Sequence, residues 1–151
     1  MDKRYQIFGA TPSPYTQKMI SLMRFKRIPF DVHFGDVTSL LKERNISPPK
    51  PVLLPVMLLK DDSGNEVAAT DSTPIIRTLE KEHPERSVLP QDHALNFINY
   101  LLEDFGDEWL TKYMFHYRWH FESDADKAGT ILPLVNSQVN LPDQILREAK
   151  E

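Results

Sequence analysis

The side chains of this chain best suited to holding a ligand or moving charge fall in a few short stretches: Ser13-Pro14-Tyr15, Leu54-Pro55, Asp71-Ser72, and His116 with His120. Serine followed by proline places a hydroxyl where a helix starts, because Ser caps well and Pro suits the first helical position. That hydroxyl either closes the cap or donates to an anion held in the field of the helix N-terminus. Asp71 and Ser72 precede another helical pattern, Ile75, Ile76 and Leu79. Unpaired N–H groups at such a start form a seat for a carboxylate, and the plainer alternative is two capping residues beside Thr73-Pro74. Pro55 interrupts an apolar run and cannot donate to a ladder, so a strand there lies at an edge or begins after it.

His116 and His120 lie four apart in a helical pattern, a spacing that can hold a metal, yet no third ligand accompanies them. They are interleaved with Tyr113, Phe115, Tyr117, Trp119 and Phe121 and read as packing residues against a neighbouring domain or subunit, so no metal is expected. Glu103, Asp104, Asp107 and Glu108 read as a solvated helix face. The chain has no cysteine. It therefore offers no disulfide, no catalytic thiol and no thiolate metal site, and any sulfur chemistry must come from a ligand.

The elements that carry these residues follow from periodicity and punctuation. Arg4 to Phe8 reads as a strand ending at Gly9, and Tyr15 to Lys26 as an amphipathic helix with Lys18, Arg24 and Lys26 on an exposed basic face. Ile28 to Phe34 reads as a second strand and Val37 to Arg44 as a short helix before the turn-rich Asn45 to Pro51. Val52 to Leu59 is a continuous apolar strand, which Asp61 to Asn65 turns into Glu66 to Ala69 as a hairpin. A third helix runs to His83-Pro84. The order βαβαββα predicts a thioredoxin-like sheet with a parallel pair, an antiparallel hairpin and covering helices. Past a linker at 85–91, the apolar spacing from Ala94 to Met114 predicts one long helix, with another over Asp124 to Val135 and weaker signals at Asn136 to Pro142 and Arg147 to Glu151.

Composition sets the wider bounds. With 151 residues, 40% hydrophobic and 26% charged, the chain matches an ordinary globular protein of one domain or two small ones. A formal charge of -4 gives no bulk attraction to nucleic acid. The start MDKRYQIFGA lacks the apolar core of a secretory signal, and no run approaches a membrane span, so a cytoplasmic location is expected.

Taken in order, the motifs resemble the glutathione transferase superfamily. FGATPSPYTQKM (Phe8 to Met19) is similar to the family's active-site loop and first helix, in the serine-type classes where serine precedes Pro-Phe or Pro-Tyr. LLPVM (Leu53 to Met57) resembles the strand with its cis-proline, and ATDSTPII (Ala69 to Ile76) its acid-serine pair. EDFGDEWLTKYMFHYRW (Glu103 to Trp119) resembles the first long helix of its helical domain. The resemblance implies a glutathione-binding thioredoxin-like domain over residues 1–84, a linker at 85–91, and a shortened, partial all-α helical domain over 92–151.

It further implies roles residue by residue. Ser13, with Tyr15 or Thr11 as substitutes, would donate to the sulfur of glutathione and favour its thiolate. A thiol of pKa about 8.5 is mostly protonated at neutral pH, and each unit of lowering requires about 1.4 kcal/mol of preferential stabilisation of the anion. A cis Leu54-Pro55 bond would turn the backbone of Leu54 toward the cysteinyl part of the tripeptide, as an added strand pairs. Ser72 would take the γ-glutamyl carboxylate and Asp71 its ammonium, with Lys42, Arg44 or Lys50 near the glycyl carboxylate and Lys42 preferred. The family implies conjugation of glutathione to small hydrophobic electrophiles, a role in detoxification, and a homodimer. A non-catalytic module that binds glutathione or another protein is the alternative. Thiol-disulfide exchange is disfavoured by serine at position 13 and by the absence of any thiol.

Overall fold

The computed structural model describes residues 4–132, which fall into two units, 4–86 and 87–132. The first carries β1 (Tyr5–Gly9), α1 (Pro14–Lys26), β2 (Phe30–Phe34), α2 (Val37–Glu43), β3 (Val56–Lys60), β4 (Glu66–Ala69) and α3 (Ser72–Glu82). The four strands form one sheet in the order β2-β1-β3-β4. β1 runs parallel to β2 from Tyr5↔Phe30 to Gly9↔Phe34, and β3 is antiparallel to both β1 and β4. This is the thioredoxin-like plan that the element order predicts.

Strand alternation sends side chains of β1 and β3 to opposite faces. On one face Phe8, Val56 and Leu58 pack with Val37 and Leu41 of α2, and the half-buried Leu54 joins them. On the other, Ile7 and Met57 are wholly buried, as are Met19 and Met23 of α1 and Ile75 and Leu79 of α3. Gly9 fixes how closely α1 approaches that face. A Cβ there would overlap the side chain of Thr16, which is itself fully buried and accepts the Ala10 N–H on Oγ1 at 3.3 Å.

Two expectations fail in instructive ways. The basic residues of α1 do not form one exposed face. Lys26 is buried with its ammonium 2.6 Å from Glu80 of α3, and it also donates to the carbonyls of Glu85 at 3.3 Å and Arg86 at 3.5 Å. Phe25, beside Lys26 in the same helix, is 47% exposed beneath the Arg86 guanidinium, 4.7 Å from its ring centre. The apolar run also becomes a strand only at Val56. Val52 and Leu53 are exposed, and cis bonds precede Pro51 and Pro55, neither of which can donate to a ladder.

The second unit is helical: α4 (His93–Asp104), a π-helical turn (Phe105–Trp109), α5 (Leu110–Trp119) and α6 (Glu122–Ile131). Asp92 caps α4 by accepting the Leu95 N–H at 2.9 Å. The expected single long helix is thus a helical run containing one wide turn, closed by the Leu110 N–H on the Phe105 carbonyl. None of these helices has a buried residue. His116 and His120 are exposed and stack on each other, with ring centres 4.6 Å apart. Among the described residues no group of three or more His, Cys, Asp or Glu is placed to hold a metal. No helix among them is long and apolar enough to cross a membrane. The end of the helix expected to reach Val135, the weak stretch from Asn136 and the charged tail lie outside the described residues.

Two outcomes follow. Glu80→Ala strands the buried Lys26 ammonium and should cost about 3–5 kcal/mol in urea unfolding, whereas Lys26→Met with Glu80→Leu should cost much less. Asp36 caps α2, and the Ser39 hydroxyl at 2.5 Å, with the backbone N–H groups of Ser39 and Thr38, holds its carboxyl below the ordinary range. A depressed folded pKa gives stability that is present above the unfolded value near 3.9 and is lost as pH falls through the folded one. Asp36→Asn should therefore flatten the acid limb of thermal stability below about pH 4 while keeping the cap.

Candidate functional site

The register of the sheet decides where the marked residues meet. Phe8 of β1 lies opposite Val56, the first residue of β3, and Met57 lies opposite Ala69, the last residue of β4. The end of β1, the start of β3 and the end of β4 therefore coincide. From that one end depart the loop to Ser13, the bend through Leu54-Pro55, and the turn through Asp71 into α3.

Ser13 is the N-cap of α1, with Pro14 at the first helical position. Its Oγ accepts the Thr16 N–H at 3.2 Å, and its own N–H is held by the Ala10 carbonyl at 3.0 Å. Accepting that bond leaves the hydroxyl hydrogen available to donate, so capping and anion stabilisation are compatible in one side chain. Tyr15, half-buried, follows in the first turn.

Leu54 is half-buried against the α2 face of the core, and Pro55 is buried behind it after the cis bond. The segment is tied to the start of α3, because the Thr70 hydroxyl donates to the Leu53 carbonyl at 2.7 Å. Asp71 then adopts a left-handed φ of 74°, is exposed, and accepts the Thr73 N–H at 3.1 Å as the α3 cap. That strained backbone turns the chain sharply from β4 into the helix.

Ser72 is 3% exposed, and the Lys18 ammonium donates to its hydroxyl at 3.1 Å. This contact joins α1 to the N-terminus of α3 and adds a cation to the positive end of a helix. Lys18 and Thr70 are the residues that sequence reasoning missed. Lys18 was assigned to a solvated face, and only its position one turn beyond Ser13 on the side of the buried Met19 could have marked it. Lys42 is exposed in the last turn of α2, on the helix whose Leu41 shares the cluster that Leu54 joins. Arg44 turns away, its guanidinium 5.2 Å over the Phe8 ring and near His33.

The model of the glutathione S-transferase N-terminal domain matches residues 7–87. This chain belongs to the glutathione S-transferase superfamily. Solved structures agree in fold. A glutathione S-transferase of Methylobacterium radiotolerans in complex with glutathione sulfonate is 21% identical, with a TM-score of 0.55 over 98% of this chain and 61% of the other. The β-etherase LigF of a Sphingobium species is 20% identical, with a TM-score of 0.61 over 97% and 63%. Maleylacetoacetate isomerase of Anaeromyxobacter dehalogenans, with dicarboxyethyl glutathione and citrate in its active site, is 17% identical, with a TM-score of 0.55 over 86% and 60%. This glutathione S-transferase homologue thus spans about three-fifths of the length of those chains. No curated protein matches it.

Ser13→Ala removes the cap of α1 and should lower stability by about 1 kcal/mol in chemical unfolding, with Ser13→Gly costing only a few tenths.

Proposed function

We propose that this chain binds glutathione along the sheet end shared by β1, β3 and β4, and that Ser13 stabilises its thiolate for attack on a small hydrophobic electrophile. The observation that carries this reading is the convergence of Ser13, Leu54 and Ser72 on that one end. The γ-glutamyl carboxylate rests on the start of α3, taking the Ser72 hydroxyl and backbone N–H with the charge of Lys18 beside it, and Asp71 faces the ammonium. Leu54, held by the cis bond to Pro55, pairs through its backbone with the cysteinyl unit. The sulfur lies by the Ser13 hydroxyl in the field of α1, with Tyr15 close in the same turn, and Lys42 serves the glycyl carboxylate. The thiolate then forms a carbon–sulfur bond, and the leaving group departs with its electron pair. Glutathione acts as co-substrate without a metal, in a cytoplasmic protein that serves detoxification as a homodimer.

A second reading, a module that binds glutathione without turnover, is favoured by the helical unit, none of whose described helices has a buried residue. Calorimetry and turnover with an aryl halide separate the two. Binding with conjugation supports the enzyme, binding alone supports the module, and no heat with millimolar glutathione overturns both. Ser13→Ala should retain affinity and lose about tenfold or more in turnover. Ser72→Ala should instead weaken binding about tenfold, and Lys18→Met should weaken it less.

A further inference from the structure

At the far end of the same sheet, β1 and β3 part company. Their ladder stops at Ile7↔Met57, so the next positions in register, Gln6 with Leu58, Tyr5 with Leu59 and Arg4 with Lys60, do not pair. β1 keeps its pairing with β2 through Tyr5↔Phe30, and β3 keeps its own with β4 through Lys60↔Glu66. The sheet therefore splays between its two central strands. The C-terminal end of α3 borders the opening and completes a cavity of about 400 Å³. Small-molecule sites typically run about 300–1,000 Å³.

The groups lining this cavity are arranged, not incidental. The Tyr5 hydroxyl donates to Glu82 Oε2 at 2.7 Å and lies 2.9 Å from His83 Nε2. A phenol has one proton, so with Glu82 accepting it, the imidazole nitrogen donates its N–H to the Tyr5 oxygen. Burial first, then the Glu82 carboxylate, pushes the phenol well above its ordinary pKa of 10.0, so Tyr5 stays a donor throughout the physiological range. Glu82 is exposed but is held in place by this bond, and it makes no ion pair with a Lys or Arg among the described residues. Arg4 is committed elsewhere, to Asp31 at 2.8 Å and to the Phe30 carbonyl at 2.5 Å. Lys60 and Glu66, opposite each other in the ladder of β3 and β4, also line the cavity and are both exposed, so water competes for their charges. Leu59, on the same face of the sheet as Tyr5, supplies an apolar wall, and Tyr5 and His83, edge to face at 5.6 Å, supply aromatic surface.

We propose that this cavity binds a small organic cation, an amine on a compact apolar or aromatic body, with the ammonium on the free oxygen of Glu82 and the body against Leu59 and the Tyr5 ring. A carboxylate fixed by a neutral donor and lacking its own counter-ion is the part of the cavity that selects charge, and the Tyr5 ring favours a cation again. The site is distinct from the one proposed for glutathione, at the opposite end of the strands.

The test titrates the full chain with three probes of one shape, phenethylamine, phenethyl alcohol and phenylpropionate, read by NMR at Tyr5, Leu59 and His83. The amine should give saturable shifts there and bind about tenfold tighter than the alcohol, with the anion weakest. Glu82→Gln should bring the amine to the affinity of the alcohol, leave the alcohol unchanged, and leave glutathione binding unchanged. Equal affinity of amine and alcohol for the unaltered protein, tighter binding of the anion, shifts that map elsewhere, or no shifts at millimolar amine would each overturn the proposal. The unaltered protein alone thus decides the matter should Glu82→Gln unfold, and Tyr5→Phe, which frees Glu82 to move, should weaken the amine by a smaller factor.

Discussion

Gly9 and Thr16 set the distance between the first helix and the sheet. With no Cβ at the end of β1, the buried threonine comes close enough for its hydroxyl to accept the N–H of Ala10, and the strand, the loop and the helix become one rigid turn. Ser13 is thereby presented at the sheet end rather than carried past it. Any larger residue at position 9 would push α1 outward, and the contact of Lys18 with Ser72 would stretch with it. The geometry of the proposed glutathione site is in this sense inherited from a missing methyl group.

Charge inside the first unit is arranged along α1 rather than spread over its surface. Lys18 reaches the start of α3, and two turns later Lys26 reaches Glu80 near the same helix's end. Both lysines bridge the two helices with long apolar stems and polar tips, which is how a cation is accommodated beside a hydrophobic core. Lys26 also gathers the carbonyls of Glu85 and Arg86, so the chain leaving α3 is held against the end of α1. The interior cost of burying Lys26 is offset because its ammonium finds several oxygen partners.

Much of this was legible in the sequence, and the gaps have physical causes. Ser13-Pro14 and Asp71-Ser72 could be placed because caps and prolines are local signals, and the hairpin at Glu66 to Ala69 because its turn residues allow little else. The start of β3 is hard to place because the three apolar residues Val52, Leu53 and Leu54 before Pro55 look like strand by composition, whereas backbone hydrogen bonding excludes them. The burial of Lys26 was hidden because a lysine announces nothing about a carboxylate 54 residues away. The splay between β1 and β3 was equally invisible, since pairing between distant strands leaves little trace in either segment alone.

The wide turn at Phe105–Trp109 changes what one helical rod can do. Each inserted residue advances the azimuth of everything downstream by about 100°, so the residues of α5 lie on flanks they would not occupy on an unbroken α-helix. A single uninterrupted backbone can in this way turn its faces without a loop between the two helices.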